Sequence, residues 1–414
     1  MVARPDRVVV FFAILAALFA VAYGIYLAPQ WDPSRDDQVQ YLALARGLVE
    51  RGEFTRATGA ESFIPEPLRF PGYPLFLAPL CIAGCAMWPI AVAQAALLAL
   101  LVLMVGGFMA TLAGLGTARL AAALVALHPA FAFFAAHALS DLPATVVAFA
   151  GVVTVARVGP RGLDGIAPGA LAAAATLVRP FVAFTFPVAA IPVALTRRRA
   201  VRASLVVAAL TFVVALSPYV AYVERAFGRP VVGSTGAQLW LGYFQGRDEA
   251  DLDAFERAQA DAGRADLARF DAVSDRVAQA SAFVTLDDQL RQRALALVAH
   301  DPLGFLGRGV YRSAQLWAGD VPLRPEHVGV AATVVWVVVN IMLLALGIVG
   351  ALRLGRRGRG TAWMPLLVIV ATWVFSYPLW AEGRFALPAR PFLAIGAAAF
   401  ITDLARERVT RLAR

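Results

Sequence analysis

Ten apolar runs dominate this chain and limit what it can fold into. They lie at about 8–27, 88–112, 120–135, 142–156, 166–178, 181–195, 203–223, 330–352, 362–380 and 392–401. A helix needs about 20 apolar residues to cross the hydrocarbon core of a bilayer. In lipid a helix also satisfies its own backbone N–H and C=O groups, which an open strand cannot. The pattern therefore predicts an all-α polytopic membrane protein with about ten transmembrane helices. Several runs are short and must extend into polar flanks. Of 414 residues, 60% are hydrophobic and only 16% charged, against about a quarter charged in soluble domains. That balance excludes a soluble enzyme and a disordered chain. Arg4 and Arg7 precede the first run, which is longer than a secretory h-region of about 7–15 residues and has no clear small-x-small site after it. We read it as a retained first helix.

The net charge of +9 comes from 37 basic residues, all arginine, and 28 acids. The absence of lysine, with abundant Ala, Gly and Arg, points to a GC-rich bacterial genome. With the N-terminus inside and the runs alternating, the inside segments hold 17 arginines and four acids, a balance of +13. That leaves 20 arginines and 24 acids outside, a balance of −4. This is the positive-inside pattern. The basic excess therefore sets orientation in a bacterial inner membrane, with both termini cytoplasmic, and gives no support to nucleic-acid binding.

Two long segments face outward, 28–87 and 224–328, and divide the chain into an N-terminal membrane module (1–223), an extracytoplasmic helical segment (224–328) and C-terminal membrane helices (329–414). In the second segment Leu286, Leu290, Ala294 and Leu297 recur at helical spacing, with Thr285 and Asp288 resembling a capping box. His300-Asp301-Pro302 reads as the end of one helix and the start of the next. The run after Pro74 also holds Pro79 and Pro89, so it reads as re-entrant or interfacial. Within it Cys81 and Cys85 read as small packing residues, because no further Cys or His stands near to complete a zinc site.

The candidate chemistry gathers outside. Asp36 and Asp37 open an interfacial helix whose face carries Tyr41, Ala45 and Leu48. A carboxylate at the water–membrane boundary suits a general base, while the plainer alternative is that Asp36 caps the helix and Asp37 complements its dipole. Arg69 stands at the rigid turn Arg69-Phe70-Pro71-Gly72-Tyr73-Pro74, placed either to grip a phosphate or to snorkel to headgroups. Arg179 lies at the outer ends of two apolar runs, where arginine is costly and usually faces a cavity or partner. Arg390 lies in the outward loop 382–391, whose arginines break the positive-inside trend and need a reason such as phosphate binding. Glu382 and Arg384 share a short outward loop, where Arg384 either binds phosphate or simply pairs with Glu382. His137 and Asp141 share another and could support the site, but two ligands are too few to argue a metal. His128, His300 and His327 read as helix-end or loop residues. P-loop, G-x-S-x-G and HExxH motifs are absent.

These pieces occur in a recognisable order. After the first helix comes D-D-x-x-x-Y-x-x-x-A-x-x-L-x-x-x-G from Asp36, then R-x-P-G-Y-P-L-x-L-A from Arg69. Ser140-Asp141, Leu177-Val178-Arg179-Pro180 and Leu216-Ser217-Pro218-Tyr219 follow, and Arg384-Phe385-Ala386-Leu387-Pro388-Ala389-Arg390-Pro391 comes last. The order resembles the GT-C membrane glycosyltransferases over nearly the whole chain. It is most similar to bacterial members of the dolichyl-phosphate-mannose protein mannosyltransferase group (glycosyltransferase family 39) and to lipid A aminoarabinose transferases. The resemblance implies a GT-C-like fold, interfacial helices in the first outward loop, and a polyprenyl-phosphate-linked sugar donor. The acceptor would be a lipid, glycan or protein hydroxyl. The family's catalytic acid four residues before the tyrosine matches Asp37, with Asp36 beside it. Its basic residue before the proline matches Arg69, and its R-x-x-L-P-x-x-P pattern matches Arg384, Pro388 and Pro391. The family's usual second acid is Gln38 here, which weakens metal binding at that pair but leaves room for a divalent ion elsewhere. The rival readings are a transporter or flippase of a lipid-linked molecule and a non-catalytic scaffold subunit.

Overall fold

The computed structural model describes residues 6–27, 36–59, 61–230, 233–275, 280–319, 330–358 and 360–412. Among them there are helices and turns and no strand. In chain order the helices are α1 (Arg7–Leu27), α2 (Asp36–Arg51), α3 (Gly72–Cys81), α4 (Met87–Ala113), α5 (Leu115–Ala126), α6 (Pro129–Ala136), α7 (Asp141–Ala156), α8 (Ile166–Val178), α9 (Thr185–Thr196) and α10 (Arg199–Phe227). They continue with α11 (Thr235–Phe244), α12 (Ala254–Asp275), α13 (Ala280–His300), α14 (Pro302–Ala318), α15 (Val330–Arg357), α16 (Met364–Ser376) and α17 (Arg390–Leu412). The helices α1, α4, α10, α15 and α17 are long and apolar enough to cross a membrane, and α5 with α6 adds a sixth if that bent pair is one span. The other apolar helices, α3, α7, α8, α9 and α16, have 10–17 residues each. Val206, Leu210, Val213 and Val214 on α10 are exposed, as expected of side chains that meet lipid rather than water.

The main core is built from Ala, Val, Leu and Phe side chains of α1, α4–α9 and α14–α17. Hydrocarbon tails are as apolar as these side chains, so helices in lipid associate by close packing of small residues. The contact of α15 with α17 is the tightest example. A Cβ on Gly350 would lie 1.8 Å from the carbonyl oxygen of Gly396, and one on Gly396 would lie 2.0 Å from that of Gly347. A second core, formed by residues such as Trp240, Tyr243, Phe283, Leu290, Leu297 and Phe305, joins α10 through α14.

Four readings of the sequence need correction. The run 120–135 is not one helix. Pro129 lacks the N–H to continue the ladder, and α5 and α6 meet at 50°. His128 caps α6 by accepting from the N–H of Ala130 at 3.3 Å, yet it is no ordinary helix-end residue. It is buried, and its Nε2 lies 3.1 Å from Arg390 Nη1, which also bonds the Asn340 carboxamide. Helix α13 begins at Ala280, so Thr285 lies inside it and forms no capping box with Asp288. Asp288 pairs instead with Arg229 at 2.7 Å. The reading at 300–302 agrees with the structure, where the Asp301 carboxylate accepts from Gly304 N–H at 2.9 Å and Pro302 opens α14. His327 lies outside the described residues.

The fourth correction concerns Cys81 and Cys85. Both are buried, but they form a disulfide. Helix α3 stops at Cys81, and the chain turns back through Gly84 at φ 101° before α4 begins. No continuous helix runs through both cysteines. We expect both thiols to resist alkylation in denaturant and to react only after reduction, read by mass spectrometry of the peptide. Alkylation without reductant would remove the bond.

Candidate functional site

Helix α2 buries Gln38, Gln40, Tyr41, Leu42, Leu44 and Ala45 on one face, leaving Asp37 at its first turn beside the cleft. Gln38 is a joint rather than a ligand, since its Oε1 accepts from Ala138 N–H at 3.0 Å. The backbone of Asp36 opens α2, but its side chain lies outside the described residues. Arg69 reaches the same place from the following loop because Glu66 shapes that loop. One oxygen of Glu66 accepts from both Leu68 and Arg69 N–H at 2.9 Å, and the other meets Arg56 Nε at 2.6 Å. Glu66 and Arg56 are both buried, so losing either partner strands a charge at about 3–5 kcal/mol.

Asp37 bridges two arginines. Its Oδ1 lies 2.5 Å from Arg69 Nη2, and its Oδ2 lies 2.7 Å from Arg384 Nη1. Asp37 and Arg384 are 347 positions apart in the chain. Gln40, one turn from Asp37, holds Arg69 Nε at 2.7 Å. The Arg69 guanidinium also lies over the Tyr41 ring, 5.1 Å from its centroid. Arg384 pairs with Glu382, whose other oxygen accepts from Trp380 Nε1 at 2.9 Å. Arg384 therefore makes the expected pair with Glu382, and it also lines the cleft.

Arg179 closes the third side. It terminates α8 in an extended conformation, because the chain turns at Pro180. Its Nη1 lies 2.8 Å from the buried carboxylate of Asp141 and 3.4 Å from Ser140 Oγ. Ser140 Oγ is also 3.0 Å from the Tyr41 hydroxyl, so Ser140 ties α2 to α7 and α8. The ring of Phe385 is 5.3 Å from Arg179 and 5.5 Å from Arg384. His137 does not join this group. Its Nδ1 bonds the Phe133 carbonyl at 2.8 Å and its ring packs on Phe133. Arg390 also turns away, into the buried cluster with His128 and Asn340. Among the described residues, no three Cys, His, Asp or Glu side chains gather as a metal site.

The result is a cleft of about 190 Å³ lined by Asp37, Tyr41, Arg69, Arg179, Arg384 and Phe385, with Ser234 and Gln238 from α11 and its start on the wall. Arg69, Arg179 and Arg384 balance Asp37, Asp141 and Glu382 in charge. Burial pushes the Asp37 carboxyl up, but Arg69, Arg384 and Arg179 outweigh it and hold it well below the usual carboxylate range. Sequence reasoning misses Gln40, Glu66, Ser140 and Gln238 as contributors. Gln40 is readable in principle, being three residues from Asp37 on a helix. Glu66 and Gln238 carry no local signal.

No family model matches the chain, and no curated protein matches it significantly. Solved structures do match it, among them two of an archaeal oligosaccharyltransferase. One is the archaeal oligosaccharyltransferase AglB from Archaeoglobus fulgidus in complex with an inhibitory peptide and a dolichol-phosphate. It matches with a TM-score of 0.53 at 14% identity, over 98% of this chain and 52% of that one. The other is the oligosaccharyltransferase of the same organism in the apo form, with a TM-score of 0.52, 14% identity and the same coverage. The fold is GT-C. The chain spans about half the length of these structures. At this identity the likeness speaks to the path of the chain, a similar arrangement of apolar helices, and not to activity.

Proposed function

We propose that the protein is a membrane glycosyltransferase that moves a hexosyl or pentosyl group from a polyprenyl-phosphate-linked donor to an acceptor hydroxyl, with inversion. The observation that carries this reading is Asp37, held between Arg69 and Arg384 in a cleft that also contains Arg179, on a GT-C fold. A dolichol-phosphate in complex with AglB supports a lipid phosphate as the group the arginines meet. The acceptor is a lipid, glycan or protein hydroxyl.

The charges suggest how such a site would work. Each guanidinium carries five N–H donors, so Arg69 and Arg384 can contact Asp37 and an anion together. The acceptor oxygen attacks the anomeric carbon as the bond from that carbon to the phosphate oxygen breaks. The acceptor proton passes to Asp37, and the bonding pair leaves with the polyprenyl phosphate. The phosphate gains one negative charge as Asp37 loses one. The two shared arginines can therefore shift their bonding from carboxylate to phosphate without a change in the net charge of the site. Fixed donors aimed at developing charge are the main source of such catalysis.

Two independent features support the proposed orientation. The arginine excess lies at the opposite end of the helices from the cleft. The Cys81–Cys85 disulfide packs in one cluster with Tyr41 and Tyr73 near the cleft, and disulfides persist in oxidising compartments. Both favour cytoplasmic termini and an extracytoplasmic site beside the 224–328 segment; if α7, α8, α9 and α16 cross as well, the chain makes about ten crossings of a bacterial inner membrane.

Arg69→Ala and Arg384→Ala are expected to weaken use of the lipid donor by about 10–100-fold, since hydrogen bonds to charged groups contribute about 1.5–3 kcal/mol. The check is donor KM in purified, reconstituted protein. An unchanged donor dependence in both variants would remove the arginines from the donor site. Vesicle transport of the lipid with no glycosylated product would favour a flippase instead.

A further inference from the structure

Gln238 is placed to recognise substrate, and neither the motif order nor the charge pattern draws attention to it. It lies on α11, on the wall of the cleft that holds Asp37 and Arg384. Its backbone is fixed. The Gln238 carbonyl accepts from Trp380 N–H at 2.9 Å, and Gly242 on the same helix packs directly on the backbone of Leu379 and Trp380. The start of α11 is held by Asp287, whose carboxylate accepts from Gly236 and Ala237 N–H at 3.1 and 3.0 Å. Against this rigid setting, the Gln238 Oε1 is buried and meets no hydrogen-bond donor within the described residues. The carboxamide oxygens of Gln40, Gln38 and Gln245 all accept a bond. Ser234, one helical turn earlier, lines the same cleft.

A buried acceptor left unmet is costly, and sites that reserve such a group for a substrate discriminate strongly against analogues lacking the matching hydroxyl. We propose that Gln238, with Ser234 beside it, binds a hydroxyl of the sugar carried by the lipid donor. The assignment rests on the glycosyltransferase reading above. A hydroxyl suits either end of the carboxamide, since it donates to Oε1 and accepts from the NH₂ group. The donor sugar is favoured over the acceptor because it is bonded directly to the phosphate, and the arginines assigned to that phosphate line the same cleft.

The test uses the full chain in nanodiscs and compares binding of bare polyprenyl phosphate with its mannosyl, glucosyl and arabinosyl conjugates. Wild type is expected to bind at least one conjugate about 10-fold tighter than the bare lipid. Gln238→Met, close in volume but without the amide, is expected to erase that difference while leaving bare-lipid affinity unchanged and thermal stability the same or higher. Gln238→Ala provides a second variant if methionine perturbs packing. A sugar preference that survives in both variants overturns the assignment, as does a wild type that binds conjugates and bare lipid alike. A change confined to acceptor KM overturns it in favour of an acceptor hydroxyl. A wild type that binds none of these lipids instead defeats the donor reading itself, and the sugar assignment with it.

Discussion

Replacing Asp37 with Asn is expected to lower sugar transfer by about 10²–10⁴-fold, the usual contribution of a general base, with the protein still inserted and folded. Asparagine keeps the shape of aspartate, but only its one oxygen accepts, so one of Arg69 and Arg384 keeps its bond while the other loses this partner. It cannot take the acceptor proton. It also removes a negative charge from beside the proposed phosphate site, so the variant should bind bare polyprenyl phosphate as tightly as wild type or more tightly. Loss of turnover with donor binding preserved separates a base from a structural ion pair. Near-normal transfer in Asp37→Asn would sink the assignment.

The same carboxylate makes a prediction about pH. Its pKa is depressed in the folded protein, so its contribution to stability is present above the unfolded value of about 3.9 and is lost only as pH falls through the lower folded value. Between about pH 5 and 8, neither stability nor activity should change through protonation of Asp37 in the unliganded protein. Arg384→Met removes one of the cations that depress it. The acid limb of the pH–rate profile should then move upward in pH. An acid limb that stays in place would show that Arg384 does not hold this carboxylate ionised.

The second large effect is on assembly. Gly396→Leu should destabilise the helix bundle by about 3 kcal/mol or more, at the upper end of overpacking costs. The added carbon would lie 2.0 Å from the Gly347 carbonyl oxygen, and that neighbour is backbone, which cannot rotate aside. Because the segment of Arg384 leads directly into α17, separation of α15 from α17 should disturb the cleft as well. The check is the monodisperse fraction in detergent and its melting temperature. Gly107→Ala, where an added Cβ meets nothing within 4 Å, serves as the control. A normal yield and melting temperature for Gly396→Leu would mean that the two helices pack in another register.

Much of the site is legible in the sequence, and for a specific reason. A charged side chain near lipid is expensive, so Asp37, Arg69, Arg179 and Arg384 stand out against apolar surroundings. Arg390 and His128 show the limit of that argument. Arg390 is conspicuous because it breaks the positive-inside trend, but only packing reveals that it bonds Asn340 and lies against His128. His137 and Asp141 are four residues apart, yet Asp141 joins Arg179 while His137 folds back on Phe133. Sequence spacing gives no direction for a ring at the end of a helix. The cysteines escape a sequence reading because their pairing depends on where α3 stops, a turn that the apolar pattern does not mark.

By itself the sequence determined that this chain is a bundle of apolar helices and which few charged residues stand apart from it. Both follow from one-dimensional quantities, the length of each apolar run and the cost of a charge in lipid. Only the tertiary structure decided that Asp37 meets Arg69 and Arg384 at once, and that Gln238 lines the same cleft with its oxygen unmatched. Those contacts join residues up to 347 positions apart. They depend on how close the backbones of α15 and α17, and of α11 and the 377–382 segment, are able to come.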